Sequence, residues 1–337
     1  MEFTLDIAIA RQFWIRSPGV GEIVAADLPP RQEGEVLVRA IYSGISRGTE
    51  SLVFRGEVPV SQHDAMRAPF QDGHFPGPVK YGYSSVGEVL EGPDGLAGST
   101  VFCLHPHQDL YCVPASAVTP LPPGLPAGRA VLAANAETAL NAVWDARPGP
   151  GDQIVVIGAG VVGLLVAWLC DQIHGTEVLA VDVDPSRAGA AASLGLSFTT
   201  DAPIGADADL VVHASGSEAG LRTALLVAGM EATILELSWY GNRSVSLPLG
   251  EAFHSRRLTL KSSQVGQIPA DRVARWDYRR RMQAALELLL DPRLDALISG
   301  ESDFGDLPRT MERLSREPTG VLCHRIRYPH PSPSPRV

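Results

Sequence analysis

The feature that most limits how this chain can fold is a set of three glycines, Gly158, Gly160 and Gly163, placed between two apolar runs of different kinds. Before them stands Ile154-Val155-Val156-Ile157, β-branched throughout and short, as a buried strand requires. After them Val161 to Cys170 is apolar over a longer stretch and reads as a helix. A strand that turns directly into a helix uses each glycine differently. Gly158 permits the tight turn, Gly160 has no side chain to hold a diphosphate away, and Gly163 lets the helix pack close to the strand. The helix N-terminus then offers unpaired N–H groups and the positive end of its dipole to phosphate. Together with Ala159 and Val162, the turn is therefore expected to hold a dinucleotide.

The next strand, Val178 to Val183, carries Asp182 near its end. A carboxylate there accepts hydrogen bonds from the adenosine ribose and repels a 2′-phosphate, so NAD is expected in preference to NADP. Arg187 tempers this expectation as a cation able to meet such a phosphate. His213-Ala214-Ser215-Gly216 ends a later strand, and the small residues Ser215 and Gly216 allow a ribose to lie against the backbone. Leu237-Ser238 makes the same case more weakly.

These elements sit in a longer alternation. Pro185 opens a helix at its favoured first position and Gly195 closes it, and Leu210–His213, Thr233–Leu237 and Leu258–Lys261 read as further strands. Alternating strands and helices imply a parallel, doubly wound α/β sheet. Residues 1–128 differ, with short apolar runs bounded by glycine and proline turns that predict a β-rich domain. The division expected is 1–128, 129–267 for the dinucleotide-binding domain, and 268–328 returning to the first domain. The return would include a helix over 271–290, a second over 306–316 and a strand over 319–327. The proline-spaced residues 329–337 are expected to be a disordered tail. The polar segment 56–80 reads either as a substrate lid or as an ordinary surface excursion.

The 337 residues carry a formal net charge of −10, which disfavours nucleic acid, a partner that needs clustered Lys and Arg. Arg279-Arg280-Arg281 reads as a solvated helix face. No apolar run reaches the length of a membrane span, and the acidic N-terminus does not resemble a signal peptide, so a cytoplasmic protein is expected. The four cysteines, Cys103, Cys112, Cys170 and Cys323, are far apart and read as buried reduced thiols.

Three segments resemble the medium-chain dehydrogenase/reductase superfamily. They are EVLVRAIYSGISRGTESLVFRG, VKYGYSSVGEVLE and AETALNAVWDARPGPGDQIVVIGAGVVGLL, and the resemblance extends over nearly the whole chain. It implies a GroES-like β-rich catalytic domain, a Rossmann domain and a return to the first. Zinc members place a Cys where this chain has Ser46-Arg47-Gly48, and Gly-His-Glu where it has Gly82-Tyr83-Ser84. Only Glu137 matches a position that ligates zinc in some members. The four-cysteine lobe that holds structural zinc in many members is absent. GISRGTE and GYSSVGEV are similar to the zinc-lacking branch with bacteriochlorophyllide dehydrogenase-type sequences. The resemblance thus implies nicotinamide chemistry without metal, and a homodimer.

Hydride transfer is the cofactor's chemistry, and the protein must orient the substrate and manage a proton. Thr49 aligns with the hydroxyl that relays the alcohol proton in zinc members. Tyr83 replaces a ligand histidine and can donate from its phenol. His105 or His107 is expected to face the nicotinamide as an acid or base. Glu137, in an apolar context, needs a partner, with Arg47 the candidate. A rearranged metal site from His105, His107 and Glu137 is a further reading. The function expected is a zinc-independent, NAD-preferring oxidoreductase acting on an alcohol/carbonyl pair. The alternatives are an NADPH-dependent enoyl or quinone reductase and a non-catalytic dinucleotide-binding sensor.

Overall fold

The computed structural model describes residues 9–316 and 319–329, which form two compact units. The first eight residues and the tail from 330 onward lie outside the described residues. The expectations about a leader and most of the tail fall there.

The second unit, Asn135–Ser299, is built on a six-stranded parallel sheet. Across the sheet the strands run Ser197–Thr199, Glu177–Val181, Gln153–Ile157, Ala208–His213, Ala228–Glu236 and Thr259–Ser262. In chain order this is 3-2-1-4-5-6, so the direction of winding reverses between the first and fourth strands. The central strands are apolar because both faces are covered. On one side of the sheet, Val155, Ile157, Val211 and Ile234 pack with Leu221, Ala224 and Leu225 of the helix Glu218–Val227. The helix Val161–Asp171 is itself mostly buried.

The strand Glu177–Val181 ends two residues before the sequence suggested, because Asp182 turns its carboxylate back onto the backbone. Pro185 opens a single 3₁₀ turn before the helix Ala188–Ser193, and Asp184 caps it by accepting from Ser186 N. The short third strand had no apolar run to reveal it. The helix expected over 271–290 is confined to Tyr278–Leu288, because Asp277 caps it by accepting from the N–H of Arg280.

The first unit comprises the described residues up to Ala134 and those from Gly300 onward. The chain therefore leaves the second unit at Gly300, not at 268. Within the first unit the strand Glu35–Ile45 pairs with Ser85–Glu91, Leu110–Pro114 and Cys323–Arg327, all antiparallel. Its buried residues Val36, Val38 and Ala40 alternate with more exposed ones, as a sheet facing a core on one side demands. A smaller sheet joins Val20–Asp27, Ile9–Ser17, Val79–Lys80 and Asp72–Gly73. Its last two strands anchor the segment 56–80, whose Phe75, Val79 and Lys80 are buried.

Among the described residues, no helix is long and apolar enough to cross a membrane. All four cysteines are free thiols; Cys103, Cys170 and Cys323 are buried and Cys112 only partly so.

Candidate functional site

The glycine turn lies at the reversal point of the six-stranded sheet. Gly158 has φ +105°, and a β-carbon on it would stand 2.5 Å from Ser215 N. A β-carbon on Gly163 would stand 1.9 Å from the carbonyl oxygen of Gly158. These two glycines are required by the fold itself. Gly160 differs, since a β-carbon there meets nothing within 4 Å. It caps the helix Val161–Asp171 without a side-chain hydrogen bond. Open space before an uncapped helix N-terminus fits a phosphate pair, which would supply the missing acceptors. Ala159 is buried in the same turn, and Val162 stands in the first turn of the helix.

Asp182 reaches this turn. Its Oδ2 accepts from Ala159 N at 2.8 Å and its Oδ1 from Asp184 N at 2.9 Å. Arg187 is buried, with its guanidinium 3.4 Å from Asp184. It is not the free cation that the sequence suggested for a 2′-phosphate, because a dry guanidinium needs its carboxylate.

A hydrogen-bonded cluster closes the carboxyl ends of the fourth and fifth strands. His213 stands in register with Glu236. Its Nδ1 lies 2.8 Å from Oε2 of Glu236, and its Nε2 2.6 Å from Oγ of Ser215. Ser238 N and the Tyr240 hydroxyl also donate to Glu236, at 2.7 and 3.0 Å. Gly216 N donates to Ser238 Oγ at 3.0 Å. Burial pushes the Glu236 carboxyl up, but the bonds from His213 and Ser238 outweigh it and hold the group below its ordinary range. Sequence reasoning named Ser215, Gly216 and Ser238 but gave no role to His213, Glu236 or Tyr240. A titratable residue ending the run Leu210-Val211-Val212 was the available signal, since a buried imidazole needs partners.

The first unit carries a second cluster. Tyr83 is hydrogen-bonded to Ser46 and Thr49; burial and then the charge of Glu50 push its phenol up to about 12. Glu50, missed from the sequence, opens its carboxylate to Ser46 N at 2.7 Å and His107 Nε2 at 2.9 Å. His107 Nδ1 meets Ser43 Oγ at 2.7 Å, and Ser43 meets the hydroxyl of Tyr328 at 3.0 Å. Both ring nitrogens of His107 are thus engaged inside the protein. His105 lies parallel to the ring of Tyr111 at 3.7 Å, and its Nδ1–H donates to Pro106 O at 2.9 Å. Burial pushes its imidazole down to about 3. The expectation of an accessible histidine acid or base is therefore corrected for both. One ring is held by a carboxylate and a serine, and the other is packed dry between aromatic rings, with Phe70 on its far side.

Glu137 belongs to the second unit and pairs with Arg281, not Arg47. Nε of Arg281 stands 3.0 Å from its carboxylate, and the same guanidinium donates to Asn141 and to Val265 O. Arg281 is 2% exposed, so the basic triplet is not a uniformly solvated face. With Glu137 bound to Arg281 and both His107 nitrogens taken, the rearranged metal set lacks its donors. Among the described residues no three His, Cys, Asp or Glu side chains group as metal ligands.

No family model matches the chain. It is 24% identical to D-guloside 3-dehydrogenase of Escherichia coli K12 over 335 residues, covering 90% of this chain and 95% of that protein. L-idonate 5-dehydrogenase of Escherichia coli K-12 superposes with a TM-score of 0.77 at 14% identity, over 95% of this chain and 98% of that one. An alcohol dehydrogenase of Escherichia coli CFT073, crystallised with NADH, superposes at 0.74 with 16% identity, over 95% and 99%. The chain thus shares its fold, a β-rich unit and a parallel-sheet Rossmann-type unit, with these solved dehydrogenases.

Proposed function

We propose that this chain is a nicotinamide-dependent oxidoreductase that interconverts a secondary alcohol and its ketone without catalytic zinc. The observation that carries the reading is the open space before Gly160, at an uncapped helix N-terminus on the reversal point of a six-stranded parallel sheet. NAD supplies the hydride acceptor. Asp182 keeps lone pairs for the adenosine ribose after its two backbone bonds, and it opposes a 2′-phosphate, which favours NAD over NADP. The same carboxylate counts against an NADPH-dependent enoyl or quinone reductase.

The phenol of Tyr83 is the proton-bearing group in this reading. It stays protonated at neutral pH and is flanked by the hydroxyls of Ser46 and Thr49, so it can donate to a carbonyl oxygen. Thr49 is a candidate to pass the proton onward. Ser, Thr and Tyr oxygens suit a hydroxylated substrate far better than they suit zinc. The D-guloside 3-dehydrogenase relative supports a sugar or polyol as the substrate class. Membership of a zinc-lacking branch and a homodimer belong to the same proposal.

Metal analysis of the purified protein, with NADH and NADPH titrations and a panel of polyols and glycosides, tests the reading. The expected result is substoichiometric zinc, tighter NADH binding and turnover of a secondary alcohol. One zinc per chain would overturn the metal-free mechanism. NADH binding without turnover of any alcohol would favour the sensor.

A further inference from the structure

This chain meets almost every need for a cation with arginine. Of its 28 basic residues only Lys80 and Lys261 are lysine. Lys261 is accounted for: its Nζ donates to Asp145 O at 2.7 Å and faces the carboxylate of the same residue at 3.5 Å. Lys80 is not. It is only 9% exposed, and the one acceptor its Nζ meets is the neutral Oε1 of Gln108, at 3.1 Å. An ammonium has three protons, so two of them point elsewhere. Among the described residues no carboxylate stands within ion-pair distance of it. The acids around it are committed. Asp72, its register partner on the neighbouring strand, is exposed and turns Oδ1 to Gly73 N at 2.9 Å. Asp109, next to Gln108, gives both its oxygens to Arg11. Burial pushes the Lys80 ammonium down, and the charge of Asp72 only partly offsets it. The fold thus dries a cation and leaves it uncompensated, a condition that an anionic ligand relieves.

Gln108 suits that purpose better than a carboxylate would. Its Nε2 donates to Leu110 O at 2.7 Å, which leaves Oε1 facing Lys80. The amide therefore aims the ammonium without neutralising it. An arginine would present a flat fork, whereas the lysine protons diverge from a single charged atom and can meet one oxyanion group beside Gln108. The surroundings belong to the same region as Tyr83. Lys80 lies in the run Val79-Lys80-Tyr81-Gly82-Tyr83, and Gly82 packs so closely on the ring of His107 that a β-carbon would stand 2.9 Å from it. The Lys80 charge also reaches His105 and helps to keep that ring neutral, and Phe70 stacks on His105 at 5.6 Å. These rings form an apolar wall, where a charge is screened less than in water.

Resting on the oxidoreductase reading above, we propose that Lys80 receives the carboxylate of an acidic substrate, a hydroxy acid or sugar acid, and that Gln108 is the positioning residue that aims its ammonium. Because the chain has only two lysines, isotopic labelling of lysine gives one ε-carbon signal for each, and Lys261 is the internal control. The probes are alditols against the matching aldonates, and methyl hexosides against the matching methyl hexuronides. In the wild type the carboxylates should move the Lys80 signal and their neutral partners should not. With NAD, kcat/KM should favour the carboxylate of a pair by about ten- to a hundredfold, the range for a hydrogen bond to a charged group. Lys80→Met should abolish that preference. Gln108→Glu pairs the ammonium internally, so it should keep or raise the melting temperature and yet cut the preference about tenfold, a split that a purely structural lysine would not produce. Turnover that favours the neutral members, or both alike, overturns the inference alone. Carboxylates that move the Lys80 signal without turnover of any pair overturn the oxidoreductase reading and leave the carboxylate site standing. Carboxylates that leave the Lys80 signal unmoved overturn the site.

Discussion

Nε2 of His107 stands 2.9 Å from Oε2 of Glu50, with side chains only 1% and 3% exposed. The other carboxylate oxygen holds Ser46 N, at the start of the helix Arg47–Phe54. One carboxylate therefore ties the turn that carries Ser46 and Thr49 to the chain around His107. Glu50→Ala would leave two buried donors without an acceptor, at a cost of about 3–5 kcal/mol. Glu50→Gln keeps an oxygen for Ser46 and should cost less. Calorimetric melting of both variants checks the order, and equal melting temperatures would contradict it.

Gly160 and Gly163 are two residues of one motif with opposite demands. Gly160→Val adds atoms to open space but puts a poor residue at the helix N-cap, so folding should weaken by only about 1–2 kcal/mol and the protein should still fold. Binding of NADH should be lost, because the new methyl groups occupy the phosphate approach. Gly163→Ala places a methyl 1.9 Å from a backbone oxygen and should compromise the fold before any ligand is added. Thermal melts alongside NADH fluorescence titrations separate the two effects. Retained NADH affinity in Gly160→Val would move the cofactor elsewhere.

Tyr83→Phe removes one oxygen. If the phenol donates to the substrate, kcat/KM falls by about 10²–10⁴-fold while NADH affinity holds. Since burial and Glu50 push this phenol up to about 12, the wild-type rate should show no falling limb from Tyr83 below about that pH. A limb that disappears in Tyr83→Phe at neutral pH would contradict this assignment.

The parallel sheet was legible because its central strands are buried on both faces and therefore read as uninterrupted apolar runs. Ser197–Thr199 escaped because a three-residue edge strand has too little apolar surface to mark it. The glycine turn was legible because backbone geometry dictates residue type. The histidines misled because a His-x-His spacing gives chemistry but not surroundings. Glu50 is remote in sequence from His107, and no local pattern shows that the ring of Tyr111 stacks on His105. Glu137 needed a partner, as its apolar context implied, but that partner came from a helix more than a hundred residues later, beyond the reach of local pattern. For the same reason the arginine triplet looked uniform.

That triplet makes a graded test. Arg281 is 2% exposed and bonds Glu137, Asn141 and Val265, whereas Arg279 is exposed. Burial already pushes the Glu137 carboxyl up against the pull of Arg281. Arg281→Ala would leave that carboxyl dry and unpaired, at a cost of about 3–5 kcal/mol. Arg279→Ala should change stability by less than about 0.5 kcal/mol. Denaturant midpoints of the two variants read the difference. A solvated helix face would give equal, small shifts.

His105 predicts an acid limit to stability. Its ring is packed against Tyr111, and burial pushes it down to about 3, well below the ordinary value of 6.5. Between those values the unfolded chain takes up a proton that the folded chain refuses. The contribution of His105 is therefore complete above about pH 6.5 and lost progressively as pH falls toward 3, with a slope of up to about 1.4 kcal/mol per pH unit. His105→Phe keeps an aromatic ring in the stack and removes the titration. Carboxylates also titrate in this window, but they are common to both proteins. The difference between wild type and variant, followed by denaturant melts at pH 7, 5.5 and 4 (about evenly spaced across the window), therefore isolates the imidazole. The wild type should lose stability faster than the variant on acidification, and parallel curves would place the ring in contact with water.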